Sequence, residues 1–61
     1  MRDWLKEARV KKGLSQHQLA KKLGIHYSLI SLFESGKRRP CPENAKKIAS
    51  VLGFDWTRFY E

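Results

Sequence analysis

At 61 residues the chain is expected to fold as one domain over 1–61, burying only about 60% of its unfolded surface, which leaves little material for a catalytic pocket and a water-excluding shell. Thirteen Lys and Arg against six Asp and Glu give a net charge of +7, which draws the molecule toward polyanions, either nucleic acid or an anionic membrane. A single cysteine, Cys41, excludes an internal disulfide framework, and the lack of a long apolar run, with Arg2 and Asp3 directly after Met1, predicts neither a membrane span nor a signal peptide and hence a cytoplasmic location.

The punctuation predicts an all-α chain of five helices, because Gly13, Gly24, Gly36 and Gly53 each follow a stretch with helical apolar spacing. The first helix, residues 2–12, gathers Trp4, Leu5 and Ala8 on one stripe, with Arg9 at its border and Arg2, Lys6 and Lys11 turned outward. In the second, Ser15 is the N-cap and Gln18 completes a capping box ahead of Leu19 and Leu23. Gly24, Ile25 and His26 leave space only for a tight turn before a third helix over 27–35, where Ile30 and Phe33 share the inward face. That orientation turns Ser28, Ser31, Leu32 and Ser35 outward, projects Tyr27 from the helix start and leaves Leu29 partly buried.

Pro42 suits the first position of a fourth helix, capped by Cys41 or the residue before it, with Ala45, Ile48, Ala49 and Leu52 as its core stripe. Asp55 then caps a short fifth helix carrying Trp56, Phe59 and Tyr60, with Phe54 just before it. These aromatics either cover the open end of the bundle or meet a second subunit in a homodimer.

The run G-L-S-Q-H-Q-L-A-K-K-L-G-I-H-Y-S-L-I-S-L-F-E-S-G-K, residues 13–37, resembles the Cro/C1-type (XRE) helix-turn-helix. The motif positions are Gln16, Leu19, Ala20, Leu23, Gly24, Ile25, Ile30, Phe33, Glu34 and Gly36, and the likeness extends to Leu5, Ala8 and Arg9 before it and to residues 47–53 after it. The resemblance implies a compact, lambda-repressor-like domain with the helix-turn-helix at helices 2 and 3. The physical reading agrees: Ala20 must be small where those helices touch, and Gly24 must permit the turn between them. The resemblance further implies an ion pair between Arg9 and Glu34 that ties the first helix to the end of the third.

It also implies double-stranded DNA as partner, with the helix from Tyr27 in the major groove. Tyr27, Ser28, Ser31 and Leu32 are the base-reading candidates, a set unlike the glutamine- and arginine-rich readers common in that family. Tyr27 can stack, reach a base edge or bond a phosphate, with phosphate or sugar ranked first, and Leu32 either meets a thymine methyl or is an ordinary surface leucine. For phosphates the candidates are Gln16, which matches a phosphate-binding position of the family, and the basic run Lys37, Arg38 and Arg39, otherwise a solvated loop. His26 stands where a short capping side chain is usual, so its ring either caps the helix or meets a phosphate.

The leading expectation is a sequence-specific transcriptional regulator, a repressor acting as a homodimer on a palindromic site. The alternative is an antitoxin-like or adaptor module whose Tyr27, Leu29 and Leu32 meet a partner protein. An enzyme ranks third, since no carboxylate pair, nucleophile with base or phosphate loop is visible. His17, His26 and Cys41 match no common zinc spacing, and no metal, cofactor, small-molecule ligand or membrane contact is expected.

Overall fold

The computed structural model describes residues 2–60, so Met1 and Glu61, the ends of the expected domain, lie outside it. Four α-helices, α1 (Asp3–Lys11), α2 (Gln16–Leu23), α3 (Tyr27–Ser35) and α4 (Pro42–Leu52), are followed by one 3-10 turn, Trp56–Tyr60. The five-helix expectation therefore becomes four helices and a turn. The segment Trp56–Tyr60 behind Asp55 takes the tighter 3-10 geometry, which is used in short pieces of this kind. Among the described residues there is no strand, and no helix is long and apolar enough to cross a membrane.

Local chemistry sets most boundaries. Ser15 Oγ accepts from Gln18 N–H at 3.1 Å while Gln18 Oε1 accepts from Ser15 N–H at 2.8 Å, closing the capping box at the start of α2. Gly24, at φ 71°, ends α2 in the left-handed region that side chains avoid. The chain then needs only residues 24–26 to enter α3. Pro42 occupies the first turn of α4, behind Cys41, whose exposed thiol makes no cap bond.

The core is one cluster of Leu5, Leu19, Ala20, Leu23, Ile30, Phe33, Ala45, Ile48, Leu52 and Phe59. Ala20 is nearly inaccessible where α2 packs on α3, so a larger side chain there would push the pair apart. Phe59 is 2% exposed, with its ring centroid 5.3 Å from Trp4 and 5.6 Å from Phe54. Trp56 is half-buried and meets Tyr60 edge-on at 5.8 Å. Phe54, Trp56 and Phe59 close the end of the bundle, and Phe59 has no surface left for a second subunit, while Tyr60 is 37% exposed.

Candidate nucleic-acid interface

The third helix divides its residues between holding and presenting. Ile30, Phe33 and Glu34 are buried, Leu29, Leu32 and Ser35 are half-buried, and Tyr27, Ser28 and Ser31 remain exposed. Leu32 and Ser35 thus lie less open than their helical positions suggest. Both fall in the last turn, where the chain folds back: Arg38 N–H donates to the Leu32 carbonyl at 3.3 Å and Ser35 Oγ donates to the same oxygen at 3.1 Å.

At the start of α3 the free amides are met by an imidazole. His26 Nδ1 accepts from Ser28 N–H at 3.2 Å and lies 2.8 Å from Ser28 Oγ, so of the two roles open to His26 the cap is realised. Tyr27 is 42% exposed, and its ring stacks on His17 from the first turn of α2, centroids 4.0 Å apart and planes 24° from parallel. The His26 ring lies against it as well, at 4.7 Å. His17 reads from sequence as an ordinary surface residue; its partner across the turn becomes apparent only once α2 and α3 are crossed.

Behind this face lies a buried polar network. Arg9 Nε donates to Glu34 Oε2 at 2.6 Å and Nη2 to Oε1 at 3.3 Å, while Nη1 donates to the Leu14 carbonyl at 2.8 Å. The ion pair implied by resemblance is present and is enclosed on both sides. Gln16, half-buried, donates from Nε2 to Glu34 Oε1 at 3.2 Å, so this residue of the α2 start is fastened to the end of α3. The orientation of an amide at the surface is thereby fixed from within.

The basic run Lys37, Arg38 and Arg39 is exposed throughout. Its path is held by Arg2, which the sequence pattern places on an outward face. Arg2 instead is half-buried, its Nη1 donating to the carbonyls of Phe33 at 2.8 Å and Arg38 at 3.0 Å, and its N–H to the carbonyl of Glu34 at 2.8 Å. A cation is well placed at a helix C-terminus, where carbonyls lack partners and the dipole is negative. Arg39 packs its guanidinium 5.3 Å from the Tyr60 ring centre, and Tyr60 Oη donates to the Pro40 carbonyl at 2.8 Å. Two cationic side chains and a tyrosine therefore shape the loop that follows α3.

Among the described residues no three His, Cys, Asp or Glu side chains come together in a metal-holding group. The arrangement offers a polar strip on an exposed helix, an oriented amide beside it and a cationic loop at its far end. Such a surface binds by hydrogen bonding and charge.

A helix-turn-helix family model matches residues 5–59. The uncharacterized HTH-type transcriptional regulator YqaF of Bacillus subtilis is 44% identical over 61 residues, spanning the whole of this chain and 80% of that protein. Two uncharacterized HTH-type transcriptional regulators of Archaeoglobus fulgidus are 43% and 41% identical over 52 residues, which cover 85% of this chain and 74% and 73% of theirs.

Proposed function

The chain belongs to the Cro/C1-type helix-turn-helix family, whose members are DNA-binding regulators of transcription and not enzymes, and on that premise we propose that it is a repressor reading a palindromic operator as a homodimer. The observation that carries this reading is the division of α3: its apolar side is folded inward, while Tyr27, Ser28 and Ser31 stay open beside the exposed cations of 37–39. Major-groove readers need such a strip, polar toward the base edges and bordered by groups that neutralise phosphates.

In this reading Tyr27, Ser28 and Ser31 face base edges, and Leu32 sits at the margin within reach of a thymine methyl. Gln16, Lys37, Arg38 and Arg39 take phosphates, and His26, whose Nδ1 is engaged in the cap, has its other ring nitrogen to offer one. Gln16 gives one amide hydrogen to Glu34 and keeps the other for a phosphate oxygen, at an orientation already set before DNA arrives. One module this small discriminates weakly among genomic sites, which favours two copies on one operator. The dimer surface is not assigned to the C-terminal aromatics, since Phe59 lies in the chain's own core with Phe54 and Trp56 packed against it, and only Tyr60 is exposed. Of the three residues the partner-protein alternative uses, Leu29 and Leu32 are half-buried and only Tyr27 is exposed. A cytoplasmic location accords with the DNA-binding role.

Selection of bound sites from random duplex DNA tests the proposal. The expected result is an inverted repeat with half-sites roughly one helical turn apart, bound by a dimer in sedimentation equilibrium. A single asymmetric half-site bound by a monomer would overturn the homodimer, and no enriched sequence would overturn specific recognition. A reporter driven through the selected site separates repression from activation.

A further inference from the structure

We propose that His26 sets the hydrogen-bonding polarity of Ser28, making its hydroxyl an acceptor toward DNA, so that Ser28 selects the exocyclic amine of adenine or cytosine; this rests on the reading of α3 as a major-groove helix. A serine hydroxyl ordinarily tolerates either partner, because its hydrogen rotates to suit. Here the hydrogen is committed. The Ser28 backbone N–H can only donate, and it is aimed at His26 Nδ1 at 3.2 Å. A proton on Nδ1 would set two hydrogens face to face, so Nδ1 is bare and the neutral ring carries its proton on Nε2.

With Nδ1 bare, the 2.8 Å contact between Nδ1 and Ser28 Oγ is a hydrogen bond only if the hydroxyl donates. The hydroxyl hydrogen then points back to the cap, and Oγ presents lone pairs alone to the exposed side of α3. In the major groove the complementary groups are N6 of adenine and N4 of cytosine, whereas O4 of thymine and O6 or N7 of guanine would meet lone pair with lone pair. His26 therefore acts as a positioning residue for a reader beside it. A helix cap of the same shape without this second contact would leave Ser28 indifferent.

The test begins with the site selected from random DNA, in which the base pair whose preference is flattened by Ser28→Ala is the pair Ser28 reads. At that pair, duplexes lacking the amine (purine for adenine, 2-pyrimidinone for cytosine) are compared with duplexes lacking the oxygen (2-aminopurine for guanine, 5-methyl-2-pyrimidinone for thymine). The amine deletion should weaken the wild-type chain by about five-fold, the worth of one hydrogen bond, beyond its effect on Ser28→Ala, and the oxygen deletion should not. His26→Asn, whose carbonyl accepts from the same two donors, should keep this pattern, and in His26→Ala the excess cost of the amine deletion should fall to near unity. A change that only loosened the helix start would weaken all duplexes alike. Independently of DNA, nitrogen chemical shifts of the His26 ring should show Nδ1 unprotonated in the free protein. Sensitivity to the oxygen deletion, an unchanged pattern in His26→Ala, or a proton on Nδ1 would each overturn the inference while leaving DNA recognition intact. Absence of any selected site would remove both.

Discussion

Truncating Glu34 should cost the protein a large fraction of its stability. The Arg9 and Glu34 side chains are only 9% and 5% exposed, so water is poorly placed to replace a missing partner. Glu34→Ala strips Arg9 of the bonds from Nε and Nη2 and leaves only the one to the Leu14 carbonyl. Arg9→Ala leaves the carboxylate with Gln16 alone. Breaking a buried pair from one side typically costs about 3–5 kcal/mol, because the remaining charge is stranded. A chain of this length holds roughly 3–9 kcal/mol in all, so the melting temperature should drop by at least ~12 °C, at about 4–8 °C per kcal/mol. The second truncation removes a charge already stranded, so the double variant should lose about 3–5 kcal/mol and not the ~6–10 kcal/mol of the sum. Urea unfolding of the three variants, followed by circular dichroism, closes the cycle. Strictly additive losses would show that the groups act independently and would refute the reasoning, as would single losses below ~1 kcal/mol, the range of exposed pairs.

Arg2→Ala should lower stability by about 0.5–1.5 kcal/mol, since it removes the guanidinium bonds to the carbonyls of Phe33, which keeps the Gly36 N–H, and of Arg38; amide exchange at residues 36–39 should quicken together with it. Asp55 carries a pH signature: its carboxyl is held below the ordinary value of 3.8, first by the Thr57 backbone N–H and then by the Thr57 hydroxyl. The unfolded chain therefore binds this proton more tightly, and the stabilisation is full above the unfolded value and disappears as the pH falls through the folded one. Asp55→Ala should accordingly lower the thermal midpoint at neutral pH and flatten its fall on the acid side, and an unchanged acid limb would speak against the cap. If the proposed dimer neutralises about six to eight phosphates, the log–log salt slope should be near −5 to −7, and Lys37→Ala or Arg38→Ala should make it shallower by about one for each phosphate no longer neutralised, about two in a symmetric dimer. Affinity indifferent to salt would contradict the role of the basic loop.

Features whose partners are close in sequence were legible in it. Ser15 with Gln18, Gly24 after Leu23, Pro42 at a helix start and Asp55 before Thr57 each act within a few residues, and each appears in the structure in its expected role. The Arg9–Glu34 pair spans 25 residues and was reachable only through the resemblance. Arg2 was not reachable at all, because its partners are backbone carbonyls 31 and 36 positions away, and a carbonyl leaves no mark in a sequence. The His17–Tyr27 stack and the Gln16 bond to Glu34 likewise depend on how α2 crosses its neighbours. Leu32 is half-buried beside a loop that turns back after Gly36, with Arg38 N–H on the Leu32 carbonyl, a return that helical periodicity cannot register. Phe59 shows the same limit: a large apolar residue near a chain end has the same spacing whether it closes a core or meets a second molecule.

The cap at the start of α3 bears on how this surface changes over generations. Ser31 is exposed and one turn removed from the cap, so substitutions there leave the core and the cap alone, and under the proposed reading they are the ones free to change which site is bound. Positions 26 and 28 have no such freedom. A replacement at 26 that lacks an acceptor, or one at 28 that lacks the hydroxyl, breaks the contact between them, so in the proposed reading the two are expected to be inherited as a pair, with only acceptor-bearing exchanges such as His26→Asn tolerated alone.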